Sequence, residues 1–500
     1  MKPKARIFIL SAILLAIAAA VRFADLGSRP MHADEAVQAY IFSDLLEHRD
    51  YRYDPAHFHG PLPHFVNLPL MRAMGIRSLE TLRAWQFRIQ PALAGLLLVV
   101  LAGACAGGAG ADASARWRAM LLAAVSPMLV YFSRMAIHET LLALCALAVP
   151  LAAAHWLETR KMRWLLAAAA AFGCMHATKE TWSIIAFSWA AAAFVLWPHK
   201  VWGAVKSAGA WRIALAVAVA MTISFLLYSN FGRYAEGFAD AWRTLFAYRT
   251  GGGHEKNWWY FLTDCLGFYR AGGWVAGEGV ISVLALAGGV VAWLRRKRER
   301  GAACGATHDT AAIGIPPLPL FLAVSGAAQV VVYSVIKYKT PWLMLVPLAS
   351  FIPLAAHGWG WLHERLRSPW WSAVFMLAVV MGMVVPMKTN SFREPTNTDF
   401  RFVYAPTLPE ADAELARVAA VLPADATVAV IGDDYWPLPW YFRARRERVG
   451  YFSEASAPPS AELREFALVI HAGYQLDPAV TGRGWRVFEL RPGYFVSISR

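Results

Sequence analysis

Apolar residues run through this chain in long blocks separated by short polar interruptions, and few of those blocks carry an internal charge. Blocks at residues 7–21, 89–109, 118–133, 139–157, 164–178, 181–197, 211–229, 276–294, 318–336, 342–357 and 371–387 predict about eleven transmembrane helices. Two stretches between blocks are long: a first outer loop at 23–87 and a second at 230–275. Beyond residue 390 the long blocks stop and shorter periods take over. Pro409–Val421 predicts an amphipathic helix, while Thr427–Ile431, Ala467–His471, Trp485–Leu490 and Tyr494–Ser499 predict strands. The expectation is a mostly α polytopic membrane protein: a transmembrane domain over 1–389 and a small extracytoplasmic α/β domain over 390–500.

Composition agrees with the pattern. The 500 residues are 58% hydrophobic and 16% charged, with 22 Trp and a mean hydropathy of +0.39. A soluble domain of that length has no use for so much apolar surface. A net charge of +14 and a pI near 9.7 would suit a nucleic-acid binder, but the placement of the charge argues for the membrane instead. Basic residues fall in alternate short loops: Arg116 and Arg118; Arg160, Lys161 and Arg163; Lys200 and Lys206; Arg295 to Arg300; Arg365 and Arg367. That alternation follows the positive-inside rule. With Lys2, Lys4 and Arg6 ahead of the first block, it puts the N-terminus in the cytoplasm and the C-terminal region outside the cytoplasmic membrane. The first block reads as an anchor rather than a cleaved leader, because many further blocks follow. The five cysteines are scattered, Cys304 among them in a basic loop, and show no disulfide framework or paired metal spacing. Gly251-Gly252-Gly253 reads as a loop tip without the context of a phosphate-binding loop.

The candidate chemistry lies at the outer ends of the blocks. Met31-His32-Ala33-Asp34-Glu35-Ala36 follows the first block closely, so Asp34 and Glu35 fall near the lipid headgroups. Two adjacent carboxylates there can accept a proton or bind a cation; equally, they can simply favour a helix N-terminus. Ser133 to Glu139 carries Arg134, His138 and Glu139; Thr178-Lys179-Glu180 and Lys337-Tyr338-Lys339-Thr340-Pro341 turn at the same face. Ionisable groups at span ends are costly unless paired or working, although basic side chains also snorkel there. His57 and His59, two residues apart before Gly60-Pro61, suit a strand face or an irregular loop rather than a helix face. With an acid such as Glu35, His59 offers a divalent metal two ligands, though loop histidines are more often hydrogen-bonded structure. Trp436 and Trp440, within Asp433 to Tyr441, can stack on sugar rings or dock the outer domain on the bilayer.

The acidic first loop resembles that of the GT-C glycosyltransferases, especially the protein-mannosyltransferase-like superfamily. Tyr53-Asp54-Pro55, Phe58-His59-Gly60-Pro61, Ser133-Arg134 with Glu139, Lys179-Glu180, Tyr338 to Trp342 and Tyr435 to Tyr441 are similar to a narrower group, the flippase activity-associated proteins. The superfamily resemblance implies transfer of a sugar from a polyprenyl-phosphate donor to a glycan, lipid or protein acceptor at the outer membrane face. It implies Asp34 as general base, with Glu35 beside it, and Arg134, Lys179, Lys337 and Lys339 as cations for the departing phosphate. His57, His59, His138, Glu139, Glu180, Trp436 and Trp440 are the supporting and sugar-binding set. A transport or non-catalytic subunit handling lipid-linked saccharides is the alternative. A transporter would place ionisable groups near the bilayer midplane, whereas here they gather at one face.

Overall fold

The computed structural model describes residues 3–56, 59–107, 113–199, 201–247, 254–302, 317–474 and 485–499. His57, Phe58, Gly251–Gly253 and Cys304 lie outside the described residues. Each of the eleven apolar blocks is helical. The first four helices of the chain are α1 (Pro3–Phe23), α2 (Ala33–His48), α3 (Leu62–Ala73) and the short α4 (Ala84–Phe87). The bundle continues with α5 (Ile89–Gly107), α6 (Ala113–Val125), α7 (Pro127–Ser133), α8 (Glu139–Thr159), α9 (Met162–His176) and α10 (Trp182–Leu196). After the short α11 (Val201–Ala208) come α12 (Ala210–Tyr228) and α13 (Glu236–Ala247), then α14 (Gly279–Ala302), α15 (Pro317–Val335), α16 (Leu345–Arg365) and α17 (Pro369–Lys388).

Among the described residues, six helices are long and apolar enough to cross a membrane, within Ala84–Gly107, Glu139–Thr159, Ala210–Tyr228, Leu318–Val335, Pro341–Arg365 and Pro369–Arg393. Ile9–Phe23, Trp182–Leu196 and Gly279–Leu294 are shorter apolar helices. Their exposed side chains are apolar, among them Phe194, Val217, Leu286 and Leu377. A helix that shows apolar residues outward needs lipid to cover them. The chain is an integral membrane protein.

Two departures from the sequence pattern shape the end of the bundle that carries Asp34 and Glu139. The apolar block at 118–133 is divided: Pro127 has no N–H to donate, and the Ser126 hydroxyl caps the new helix by accepting from the Leu129 N–H at 3.3 Å. The 23–87 stretch contains the helices α2, α3 and α4, and α2 is held on both ends. His32 is its N-cap, and a backbone turn closes its C-terminus at Arg49 in the left-handed region.

The C-terminal region contains α18 (Pro409–Val421) and the strands β3 (Val428–Ile431), β4 (Val449–Phe452), β5 (Leu468–Gly473), β6 (Trp485–Arg491) and β7 (Tyr494–Ser499); β1 (Tyr269–Ala271) and β2 (Trp274–Ala276) form a hairpin in the second outer loop. The five strands run in the order β4-β3-β5-β7-β6. β3 is parallel to both β4 and β5, and β7 is antiparallel to β5 and β6. This region is continuous with the bundle through α2. The Tyr40 hydroxyl donates to the Pro439 carbonyl at 3.0 Å, Arg446 pairs with Glu47 at 2.6 Å, and Tyr40 meets Trp436 edge to face at 5.4 Å.

Candidate functional site

The site begins at the N-terminus of α2. His32 accepts the Asp34 N–H on Nδ1 at 3.1 Å, and its Nε2 lies 3.1 Å from the Tyr404 carbonyl. An imidazole that accepts at Nδ1 carries its proton on Nε2, so the second contact is a donation to Tyr404. The Glu35 carboxylate returns to accept the His32 N–H at 3.2 Å, completing a capping box. Successive residues of a helix point about 100° apart. Asp34 and Glu35 therefore part company.

Glu35 turns inward and is fully buried. Arg88 binds it through both arms of the guanidinium, at 2.7 and 2.6 Å, and the Ala136 N–H donates to it at 2.8 Å. Arg88 also donates to the carbonyls of Leu26 and Arg29, each at 2.9 Å. Burial alone would raise the Glu35 carboxyl; Arg88 and Arg29 outweigh it and hold the group down at about 2. This carboxylate is a structural tie between the first outer loop and the 134–139 turn, which corrects its assignment beside the base.

Asp34 faces the other way. Its side chain is 48% exposed, and it lines an open cavity of about 320 Å³ together with Gln38, His59, His138, Glu139, Lys179, Glu180, Tyr338 and Trp342. The first outer loop reaches this cavity because Gly60 permits it. A Cβ at Gly60 would sit 2.4 Å from the Ala177 carbonyl oxygen, and the Leu62 N–H donates to that same oxygen at 2.8 Å. The Gly60 carbonyl in turn accepts from His138 Nε2 at 3.1 Å. Three segments distant in sequence are thereby pinned at one corner.

Two acid–base pairs stand in that corner. Lys179 donates to Glu139, both side chains being nearly buried. His59 Nδ1 lies 2.9 Å from Glu180. Burial would raise Glu180, but His59 and Lys179 hold it as a carboxylate, at about 2. His138 is driven the opposite way, well below the ordinary imidazole value, by burial and then by the positive charge His59 and Lys179 place beside it. It stays neutral beside the Lys179 ammonium.

Other expected residues lie elsewhere. Arg134 turns away from the cavity, donating to the Val21 and Asp25 carbonyls at 3.1 and 3.0 Å and covering the Phe392 ring at 4.4 Å. It closes the end of α1, where unsatisfied carbonyls collect. The Lys339 ammonium is buried and donates to the Ile336 carbonyl, while Lys337 is exposed; Tyr338 between them is the residue that lines the cavity. Trp436 and Trp440 pack between α2 and the sheet region, Trp440 beneath the Arg443 guanidinium at 4.0 Å. Trp440 is buried and Trp436 half-buried, and both help fasten α2. His59 and Glu35 cannot share a metal, because both Glu35 oxygens are taken by Arg88 and backbone N–H groups. Among the described residues no three or more His, Cys, Asp or Glu side chains are grouped to hold one. Gln38 and Trp342 were not anticipated. Gln38 follows Asp34 by four residues, the spacing that puts two side chains on one helix face.

A family model described as dolichyl-phosphate-mannose-protein mannosyltransferase matches residues 71–228. No curated protein matches the chain by sequence. Among solved structures, ArnT from Cupriavidus metallidurans in the apo state superposes with a TM-score of 0.65 at 16% identity, over 98% of this chain and 97% of that one. The same protein bound to undecaprenyl phosphate gives a TM-score of 0.61 at 15% identity, over 98% and 97%. The oligosaccharyltransferase of Archaeoglobus fulgidus, tethered with an acceptor peptide, gives 0.55 at 14% identity, over 94% of this chain and 69% of that one. The chain shares the fold of ArnT.

Proposed function

We propose that this GT-C chain is a membrane glycosyltransferase that moves a sugar from a polyprenyl-phosphate donor to an acceptor at the outer face of the cytoplasmic membrane. The reading rests chiefly on one observation: Asp34, Lys179–Glu139 and His59–Glu180 line a single cavity at the ends of apolar helices. The ArnT structure holding undecaprenyl phosphate supports the donor class. The basic loops on alternate sides support a cytoplasmic N-terminus, and with it an extracytoplasmic region from residue 390 onward.

In the proposed reaction an acceptor hydroxyl attacks the anomeric carbon while the bond from that carbon to the phosphate oxygen breaks. Asp34 takes the hydroxyl proton, and the bonding electron pair leaves on the polyprenyl phosphate. Asp34 suits this role because it is half exposed and sits at a helix N-terminus, where a carboxylate is stabilised. Lys179 faces the negative charge that grows on the leaving phosphate, with His59 beside it. Glu139 holds the Lys179 ammonium and Glu180 holds the His59 ring before substrate arrives, so little reorganisation is needed in the transition state. Arg134, Glu35 and Arg88 act at one remove, as positioning residues that brace the loop carrying Asp34.

Purified protein in lipid nanodiscs, incubated with a panel of polyprenyl-phosphate sugars and of glycan, lipid and peptide acceptors and scored for released polyprenyl phosphate, tests this reading. Release from at least one donor, lost in Asp34→Asn, is the expected result. No release from any donor, or release unchanged in the variant, contradicts it.

A further inference from the structure

A second group of side chains, outside the Asp34 cavity, gathers at one end of the C-terminal sheet. β3 and β5 are parallel, so their carboxyl ends open on the same edge. Asp434 lies beyond the end of β3, Tyr474 follows β5 directly, and Arg491 and Tyr494 flank the β6–β7 turn. In open α/β sheets the crevice beyond the carboxyl ends of the strands is where ligands settle. Here Gly432 draws that edge together: a Cβ at this position, where φ is +149°, would lie 2.2 Å from the Ala472 carbonyl oxygen. The turn carrying Asp434 is thus pressed against the strand that leads to Tyr474.

The chemistry of the edge is specific. Tyr474 is 68% exposed, although its ring meets Tyr494 edge to face at 4.9 Å. Arg491 covers the buried Tyr494 ring at 4.2 Å and donates to Asp434, whose side chain remains 51% exposed. An open aromatic face braced from behind, next to an oriented carboxylate with free surface, matches a sugar. The ring's C–H face lies on the aromatic and a pair of neighbouring hydroxyls donates to the carboxylate. A polypeptide strand would instead ask for a free sheet edge or an apolar groove.

This edge leads to the cavity. The Tyr404 hydroxyl is hydrogen-bonded to His254 Nδ1, and Tyr404 supplies the carbonyl bound by His32 at the foot of α2. His254 feels the Asp34 and Asp434 carboxylates together, though burial lowers its ring overall. Tyr404 and His254 therefore stand between the sheet edge and the proposed base.

We infer that Asp434, Tyr474 and Arg491 form a saccharide-binding subsite on the C-terminal sheet that receives a glycan acceptor and presents its hydroxyl to Asp34. The acceptor role rests on the transferase reading; the binding itself does not. Saturation-transfer NMR on the full chain in nanodiscs, with mannotriose, maltotriose and a neutral heptapeptide as probes, tests it without any donor. A trisaccharide should give a saturable signal in the wild type and in Asp34→Asn. In Tyr474→Ala the affinity should fall by about five- to tenfold, and in Asp434→Ala it should fall as well, with Tyr474→Phe close to wild type as proof of a folded sheet. Neither trisaccharide binding, binding that survives both alanine variants, or binding of the peptide alone would overturn the subsite. Saccharide binding by a wild-type protein that turns over no donor would count against the transferase reading and leave the subsite standing.

Discussion

Glu35 and Asp34 are adjacent in sequence and opposite in circumstance. Around Glu35 the carboxylate oxygens both have fixed partners: Arg88 closes on it, Arg88 gathers the 26–30 carbonyls, and Arg134 closes the end of α1. Around Asp34 the carboxylate stays half exposed and the charged groups sharing its cavity are paired with one another rather than with it. The first region uses charge to lock backbone in place. The second, on the proposed reading, holds charge ready for a substrate. The difference teaches that ionisable residues at a membrane face divide into frame and chemistry by helix phase, which adjacency in sequence conceals.

Substitutions on the cavity side should break turnover, and Asp34→Asn should do so while sparing the fold. The largest effect is expected for Asp34→Asn, which keeps shape and removes the base: turnover should fall by about two to four orders of magnitude, with the thermal midpoint unchanged. Lys179→Ala should follow, at about 100- to 1000-fold in turnover, measured at saturating donor so that weakened binding is not mistaken for lost chemistry. Its midpoint should also drop, because Glu139 is left buried without its cation.

Gly60→Ala sharpens the comparison from the backbone. Its Cβ would strike the Ala177 carbonyl, moving His59 away from Glu180. A misplacement of about 1 Å can cost about 100-fold in rate, and here the loss should come with an unchanged Glu35–Arg88 frame. Hydrogen exchange localised to 59–62 and 177–180 checks it.

The smallest effect is on stability as pH falls. Glu35 and Glu180 are both held at about 2, below the ordinary glutamate value of 4.5. A depressed carboxyl adds stability that is whole above its unfolded value and is lost as pH falls through the folded one. The thermal midpoint should therefore slide between about pH 4.5 and pH 2. In Glu180→Gln the slide should be shallower, read by thermal unfolding across that window.

Much of the bundle was legible because apolar blocks are a physical necessity in lipid. All eleven blocks are helical, and α18 and the strands β3, β5, β6 and β7 lie where the periodicity put them. Strand β4 was missed: Val-Gly-Tyr-Phe is short, contains a glycine and follows an arginine-rich turn. The break at Ser126-Pro127 carried a readable signal, a capping hydroxyl before a proline, which the apolar run overrode. Helix α2 buries residues on several faces between the bundle and the C-terminal sheet, so its pattern is not amphipathic.

At the site, proximity to the membrane face picked out Asp34, His59, His138, Glu139, Lys179 and Glu180, which share one cavity. It also picked out Arg134, Lys339 and Glu35, which do not line it. Membrane depth is encoded along the chain, but the direction of a side chain depends on partners such as Arg88 and the carbonyls ending α1. Those contacts are set by tertiary packing. The spacing of Gln38 from Asp34 was the one unused local clue.

The division between those two neighbours is tested most directly by setting Glu35→Gln against Asp34→Asn in matched preparations, reading thermal midpoint and donor turnover per folded molecule. Glu35→Gln leaves Arg88 buried without its counter-charge and should lose about 3–5 kcal/mol of stability, while the molecules that remain folded keep turning over. Asp34→Asn should do the reverse. If Asp34→Asn lowers the midpoint and spares turnover, or Glu35→Gln abolishes turnover at an unchanged midpoint, frame and chemistry have been assigned to the wrong residues.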